Sequence, residues 1–232
     1  MKKSKSVSAV LTGKESLRGL AYLAFQLLVL PSFLVWSNRQ LPEPLNDAQL
    51  NFVFYMINFI AMLLIFHDFL GRSMVNALRH LVNLCQALIL GFVAYFACRQ
   101  AVSWLIELLV PSFTNFNDSA YAAMKQGNSF LVLIGTVVLV PPFEECIYRG
   151  LIFRNLYGKS HALAYILSMV VFAMIHILGY VGQYTPLELV MATLQYLPAG
   201  LCLAWTYIKA DTIFAPILLH AAINYITLTG MR

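Results

Sequence analysis

Charge is what this chain has least of. Only 11% of its 232 residues are Asp, Glu, Lys or Arg, against about 25% in a soluble globular domain. With 60% hydrophobic residues and a mean hydropathy of +0.75, that scarcity excludes a water-soluble fold and leaves an integral membrane protein. Cysteine is sparse too. Cys85, Cys98, Cys146 and Cys202 form no CxxC pair, which excludes a zinc knuckle or a disulfide framework and leaves thiols packed as small hydrophobes. Cys146 adjoins two carboxylates and is the one thiol to weigh as a nucleophile, although it stands roughly 100° round a helix from Glu145. Internal repeats and low-complexity segments are missing, and the length suits one bundle. The formal charge of +5 is the balance a nucleic-acid binder would carry. Here the positive residues cluster at the ends of apolar runs, where membrane topology accounts for them, so no nucleic-acid partner is expected.

What the chain does have is seven long apolar runs. They cover residues 19–36, 51–70, 81–110, 129–157, 161–178, 187–208 and 212–229, each near or above the roughly 20 residues that a spanning helix needs. The expected fold is therefore all-α, a multi-pass bundle of about seven spans, with eight helices if the fourth run divides. A polar, basic segment (residues 1–18) precedes a single membrane domain (residues 19–232). The first run is too long for the apolar core of a signal peptide and lacks a small-residue cleavage site, so it reads as an uncleaved helix. With the N-terminus cytoplasmic, Lys2, Lys3, Lys5, Lys14, Arg18, Arg72, Arg79, Arg149, Arg154, Lys159 and Lys209 fall inside. Only Arg39, Lys125 and Arg232 fall outside. That bias follows the positive-inside rule for an N-in, C-out chain. The amphiphilic stretch 111–128 is expected to lie along the outer interface as a short helix.

Against this background three polar clusters stand out: Glu144-Glu145-x-x-x-Arg149, Phe172-x-x-x-His176 and His220-x-x-x-Asn224. Ionisable groups at membrane depth are costly and usually face a cavity. Glu144 lies sixteen residues before Ser160 and His176 sixteen after it, so antiparallel helices would bring both to one height, roughly 24 Å from that turn. Glu145 and Arg149 are i,i+4 neighbours with the acid first, the favoured order for a helical ion pair, which leaves Glu144 free to face substrate. His220 and Asn224 share a face by the same spacing. Pro141-Pro142 precedes the acids, and a helix restarting there would hold both carboxylates near its positive end. A plain packing kink is the alternative. Interhelical hydrogen bonding is the bland reading of the whole set, but a base, two imidazoles and an amide on three spans favour water-activating chemistry. Other polar residues in the runs (Arg99, Gln100, Glu107, Gln195) are read as snorkelling, packing or lining a path.

No His-Glu-x-x-His zinc site, Gly-x-Ser-x-Gly elbow or Gly-x-Gly-Asp motif occurs. The three clusters, in order and each on an apolar run, resemble the motifs of the CPBP family, the CAAX proteases and bacteriocin-processing enzymes also called Abi. The likeness covers residues 129–229. It implies a helical bundle with an intramembrane site and an endopeptidase activity like that of type II CAAX prenyl proteases. Eukaryotic relatives remove the last three residues of prenylated proteins, and bacterial members are tied to bacteriocin immunity and peptide maturation. By the same resemblance Glu144 activates water with His176, His220 and Asn224 stabilise the oxyanion, and Glu145, Arg149 and Phe172 support the site. Glu144, His176 and His220 are also the candidate ligands if a divalent metal such as zinc takes part, a point the residues leave open. The expected partners are the bilayer and a membrane-associated or prenylated peptide. Short loops point to a prokaryotic cell membrane. The competing readings are a non-catalytic immunity or peptide-binding protein and a proton-coupled transporter.

Overall fold

The structure is a computed structural model that describes residues 10–230. Lys2, Lys3 and Lys5 of the expected basic segment, and Arg232, lie outside the described residues. Eight helices account for almost everything described: α1 (Gly13–Leu28), α2 (Leu30–Asn38), α3 (Asp47–Arg79), α4 (Leu81–Leu109), α5 (Phe116–Tyr157), α6 (His161–Ile177), α7 (Pro186–Ala210) and α8 (Phe214–Gly230). The all-α reading holds. Five helices are long and apolar enough to cross a membrane: α3, α4, α5, α7, and α6 with the 3₁₀ turn that extends it. The α1–α2 pair makes six, and α8 is shorter at 17 residues.

Local chemistry moves several boundaries away from the hydropathy pattern. Helix α1 starts at Gly13 rather than Gly19, because Thr12 and Glu15 form a reciprocal capping box that satisfies two orphan backbone donors. Glu15 is itself buried, accepting from Arg72 at 2.8 Å and from the Phe69 amide at 2.9 Å, which ties α1 to α3. The first apolar run is not one rod: α1 and α2 meet at 44°, with Pro31 in the first turn of α2. Helix α3 continues beyond Leu70 to Arg79, so His67 and Asp68 lie within it as an exposed pair 3.0 Å apart. Helix α5 begins at Phe116, with one non-helical residue, Asn128 (φ −159°, ψ 88°), where the amphiphilic stretch joins the fourth apolar run.

The centre of the bundle is packed from Phe66, Phe69, Ile147, Phe153, Leu203 and Tyr207, all fully buried. Two features set the helices that carry the polar clusters. Gly200 of α7 lies against α6 so closely that a Cβ there would be 2.7 Å from Met169 Cα, and only glycine permits that approach. The turn into α8 is fastened to α3. Asp211 adopts the left-handed conformation and its carbonyl accepts from Asn76. The Thr212 hydroxyl donates to the Ser73 carbonyl at 2.9 Å, and the Ile213 amide donates to Ser73 Oγ at 2.8 Å. These bonds set the height at which His220 and Asn224 enter the bundle.

Candidate active site

Glu144 and Glu145 are consecutive on α5, so their side chains diverge by about 100° and meet different surroundings. Glu145 is fully buried. Its Oε1 accepts from Arg149 Nη1 at 2.9 Å and from His220 Nδ1 at 2.8 Å. Arg149, also fully buried, reaches the Gly200 carbonyl at 3.3 Å and lies 4.5 Å over the Phe172 ring. The expected Glu145–Arg149 pair therefore forms and also holds an imidazole 75 positions away in sequence. Glu144 instead lines a cavity of about 140 Å³ shared with Phe172, His176, His220 and Asn224. Its Oε2 lies 4.0 Å from His220 Nε2. Glu144 also borders a second cavity of about 280 Å³, walled by Phe54, Leu139, Phe143 and Ile175. It therefore stands between two chambers.

Hydrogen bonding assigns the imidazole faces. His176 Nδ1 lies 2.7 Å from the Phe172 carbonyl. That oxygen only accepts, so Nδ1 carries a proton, and in the neutral ring Nε2 is the nitrogen left with the lone pair. The ring is stacked on Tyr196 at 4.3 Å, which fixes its plane. His220 Nδ1 likewise donates to Glu145, which leaves Nε2 on the side of Glu144.

Of the two readings of the proline pair, the helix restart does not occur. Backbone angles stay helical from Leu139 through Cys146, so the acids do not sit at a new helix N-terminus, and the dipole argument falls. The chain stays helical by widening into π-helix over Gly135–Leu139 and again over Cys146–Phe153. The Val140 amide bonds to the Gly135 carbonyl. The Thr136 carbonyl would then look to residue 141, and Pro141 has no N–H. Asn224 Nδ2 donates to that carbonyl instead, at 2.9 Å. The first proline thus creates the acceptor that orients Asn224.

The sequence motifs miss most of the cavity wall. Tyr95, Arg99 and Ser103 line it from one face of α4, at i,i+4 spacing. That spacing within an apolar run was the available signal. Asn115, Asn117 and Tyr121 come from the stretch expected to lie apart at the interface. They turn inward: Asn115 donates to Gln195 Oε1 at 2.5 Å, Asn117 donates to the Tyr196 hydroxyl at 2.8 Å, and the Tyr121 and Tyr55 hydroxyls are 2.6 Å apart. Gln195 lines the cavity as well. Cys146 is fully buried in the core and does not face the cavity. Among the described residues, no three His, Cys, Asp or Glu side chains are grouped closely enough to hold a metal ion.

Residues 126–226 match the family model described as Type II CAAX prenyl endopeptidase Rce1-like. Comparison with curated proteins and with solved structures gave no match. The matched segment contains all three polar clusters and all or most of four of the five helices around the cavity, α5, α6, α7 and α8. Within an all-helical bundle with membrane-length apolar helices, residues 126–226 are therefore similar to the Rce1-like type II CAAX prenyl endopeptidases, which supports a place among the CAAX-type intramembrane proteases.

Proposed function

We propose that the protein is an intramembrane endopeptidase that hydrolyses peptide bonds with water activated by Glu144. The observation that carries this reading is the division between the two acids. Glu145 is sealed and committed to Arg149 and His220, whereas Glu144 faces the cavity that His176 also lines. A water between Glu144 and the lone pair of His176 loses a proton to the carboxylate as its oxygen attacks the scissile carbonyl carbon. Charge then develops on the carbonyl oxygen. His220 in its imidazolium form donates from Nε2, and Asn224 donates with the amide proton not used on Thr136, as an oxyanion hole requires. Collapse breaks the C–N bond, and the proton on Glu144 passes to the leaving amine.

The donor types present (a carboxylate and two imidazoles with anchored Nδ1 atoms) suit zinc, but they do not converge on one point. The reading proposed is therefore the metal-independent one. Substrates would be membrane-associated or prenylated peptides, with the apolar second chamber on the other side of Glu144 available to a hydrophobic flank.

The test uses purified protein in detergent micelles with a farnesylated CAAX peptide and a panel of membrane peptides, with and without chelator. Wild type is expected to cleave. Glu144→Ala is expected to lose at least about 10²-fold in kcat with its melting temperature kept, and chelator should change neither. Full activity in folded Glu144→Ala would refute the assignment. Binding without cleavage by wild type would favour an immunity or peptide-binding role.

A further inference from the structure

A guanidinium inside an apolar bundle is expensive unless it is paired. Among the described residues, Arg99 has no carboxylate within ion-pair distance. Its polar neighbours are hydroxyls, that of Thr227 at 3.3 Å and that of Tyr95 on the same helix. Asp118 lines the same cavity and balances the charge through space without touching it. Arg99 lies outside the segment matched by the family model and takes no part in the hydrolytic steps above. It nevertheless faces the cavity that Glu144, His220 and Asn224 face.

Its position relative to those residues follows from helix register. Gly91 of α4 packs against Leu219 of α8, where a Cβ on Gly91 would lie 2.9 Å from Leu219 Cδ2. Arg99 meets Thr227. Both pairs differ by 128 in residue number, so α4 and α8 run parallel and in step. Thr227 is seven residues beyond His220, which places Arg99 about 10 Å further along the cavity at 1.5 Å per residue. An extended peptide advances about 3.3 Å per residue. A chain whose scissile carbonyl sits at His220 and Asn224 therefore reaches Arg99 two to three residues later.

We infer that Arg99 binds the α-carboxylate of the substrate's C-terminus, and that its distance from His220 sets how far from the chain end the bond is cut. The fork of guanidinium donors matches a carboxylate in two-point contact. The Thr227 hydroxyl and the Tyr95 and Ser103 hydroxyls on the same α4 face add further donors. The inference rests on the hydrolase reading for the site of cleavage, but carboxylate recognition is measurable without cleavage.

The experiment uses one fluorescent farnesylated heptapeptide, its modified cysteine fourth from the end, made as the free acid and as the C-terminal amide. Wild type should cleave the acid roughly 10- to 100-fold more efficiently than the amide, the range of one charge-assisted hydrogen bond. Arg99→Gln should lose that factor on the acid and keep its slow turnover of the amide, which also shows that the variant is folded. Arg99→Lys should recover part of the loss. In the binding arm, Glu144→Ala should bind acid over amide by a similar factor, and adding Arg99→Gln should abolish the preference. Equal binding of acid and amide by Glu144→Ala, or equal cleavage by wild type, overturns the role of Arg99 while leaving the hydrolase reading intact. Selective binding without cleavage by wild type would sustain Arg99 and overturn the hydrolase.

Discussion

Arg149→Met separates what holds the site from what performs chemistry in it. The substitution keeps roughly the side-chain volume but removes the charge that faces Glu145 at 2.9 Å, where both side chains are fully buried. Glu145 would then be a buried carboxylate with only the His220 bond remaining. Breaking such a pair from one side costs about 3–5 kcal/mol. For a chain of this size each kcal/mol moves the midpoint by about 2–4 °C, so a fall of about 6–20 °C is expected from thermal unfolding in detergent. Glu145→Gln alone strands Arg149 against the Gly200 carbonyl and the Phe172 ring and should fall comparably. The double variant Glu145→Gln/Arg149→Met removes both charges, and the amide oxygen introduced beside His220 can still accept from its Nδ1. It should regain more than half of the lost stability, because a neutral buried pair needs no compensation. On the proposed mechanism its activity should stay low, since an amide beside His220 supports positive charge on the ring less well than a carboxylate. A double variant no more stable than Arg149→Met would refute the reasoning, because the cost could not then be that of an uncompensated buried charge.

Two further outcomes follow from the packing. Gly200→Ala places a Cβ 2.7 Å from the Met169 backbone. It should cost about 1–3 kcal/mol by overpacking and lower activity by shifting α6, whereas Gly158→Ala, with open space around it, should do neither; unfolding midpoints and cleavage rates compare the two. Asn224→Leu leaves the Thr136 carbonyl without its donor, a loss of about 1–3 kcal/mol, and should reduce kcat by about 10²–10³-fold if the amide serves the oxyanion. A large stability loss with unchanged kcat would assign Asn224 a structural role only.

The motif residues were legible because each signal is local. Glu145 and Arg149 meet at i,i+4 as helical spacing requires, and the separation of Glu144 from Glu145 follows from their being adjacent on a helix. Glu144 and His176 face one cavity, as equal distances from the Ser160 turn imply. What the pattern cannot give is tertiary register. The Glu145–His220 bond depends on the height of α8, which Ser73, Asn76 and Asp211 set from helices far apart in sequence. Arg99 was visible as a charge in an apolar run, but facing the cavity depends on the close approach at Gly91. The stretch 111–128 is amphiphilic by composition. Its polar side chains turn inward because α7 offers Gln195 and Tyr196 as partners.

The prolines show why the local reading of a helix break went astray. Proline inside a helix costs about 3 kcal/mol relative to alanine, and the expected remedy was to end one helix and begin another. The chain instead takes one residue more per turn, which keeps α5 continuous and shifts every side chain after Gly135 round its axis. Such π-bulges gather at functional sites. Here the consequence can be traced atom by atom. A regular α-helix would give the Thr136 carbonyl the Val140 amide and leave Asn224 without a partner; the π register diverts Val140 to Gly135. The missing N–H of Pro141 then keeps the Thr136 carbonyl open, and Asn224 takes it. The backbone defect that destabilises α5 locally is thus the means by which α5 and α8 are joined, about two turns before Glu144.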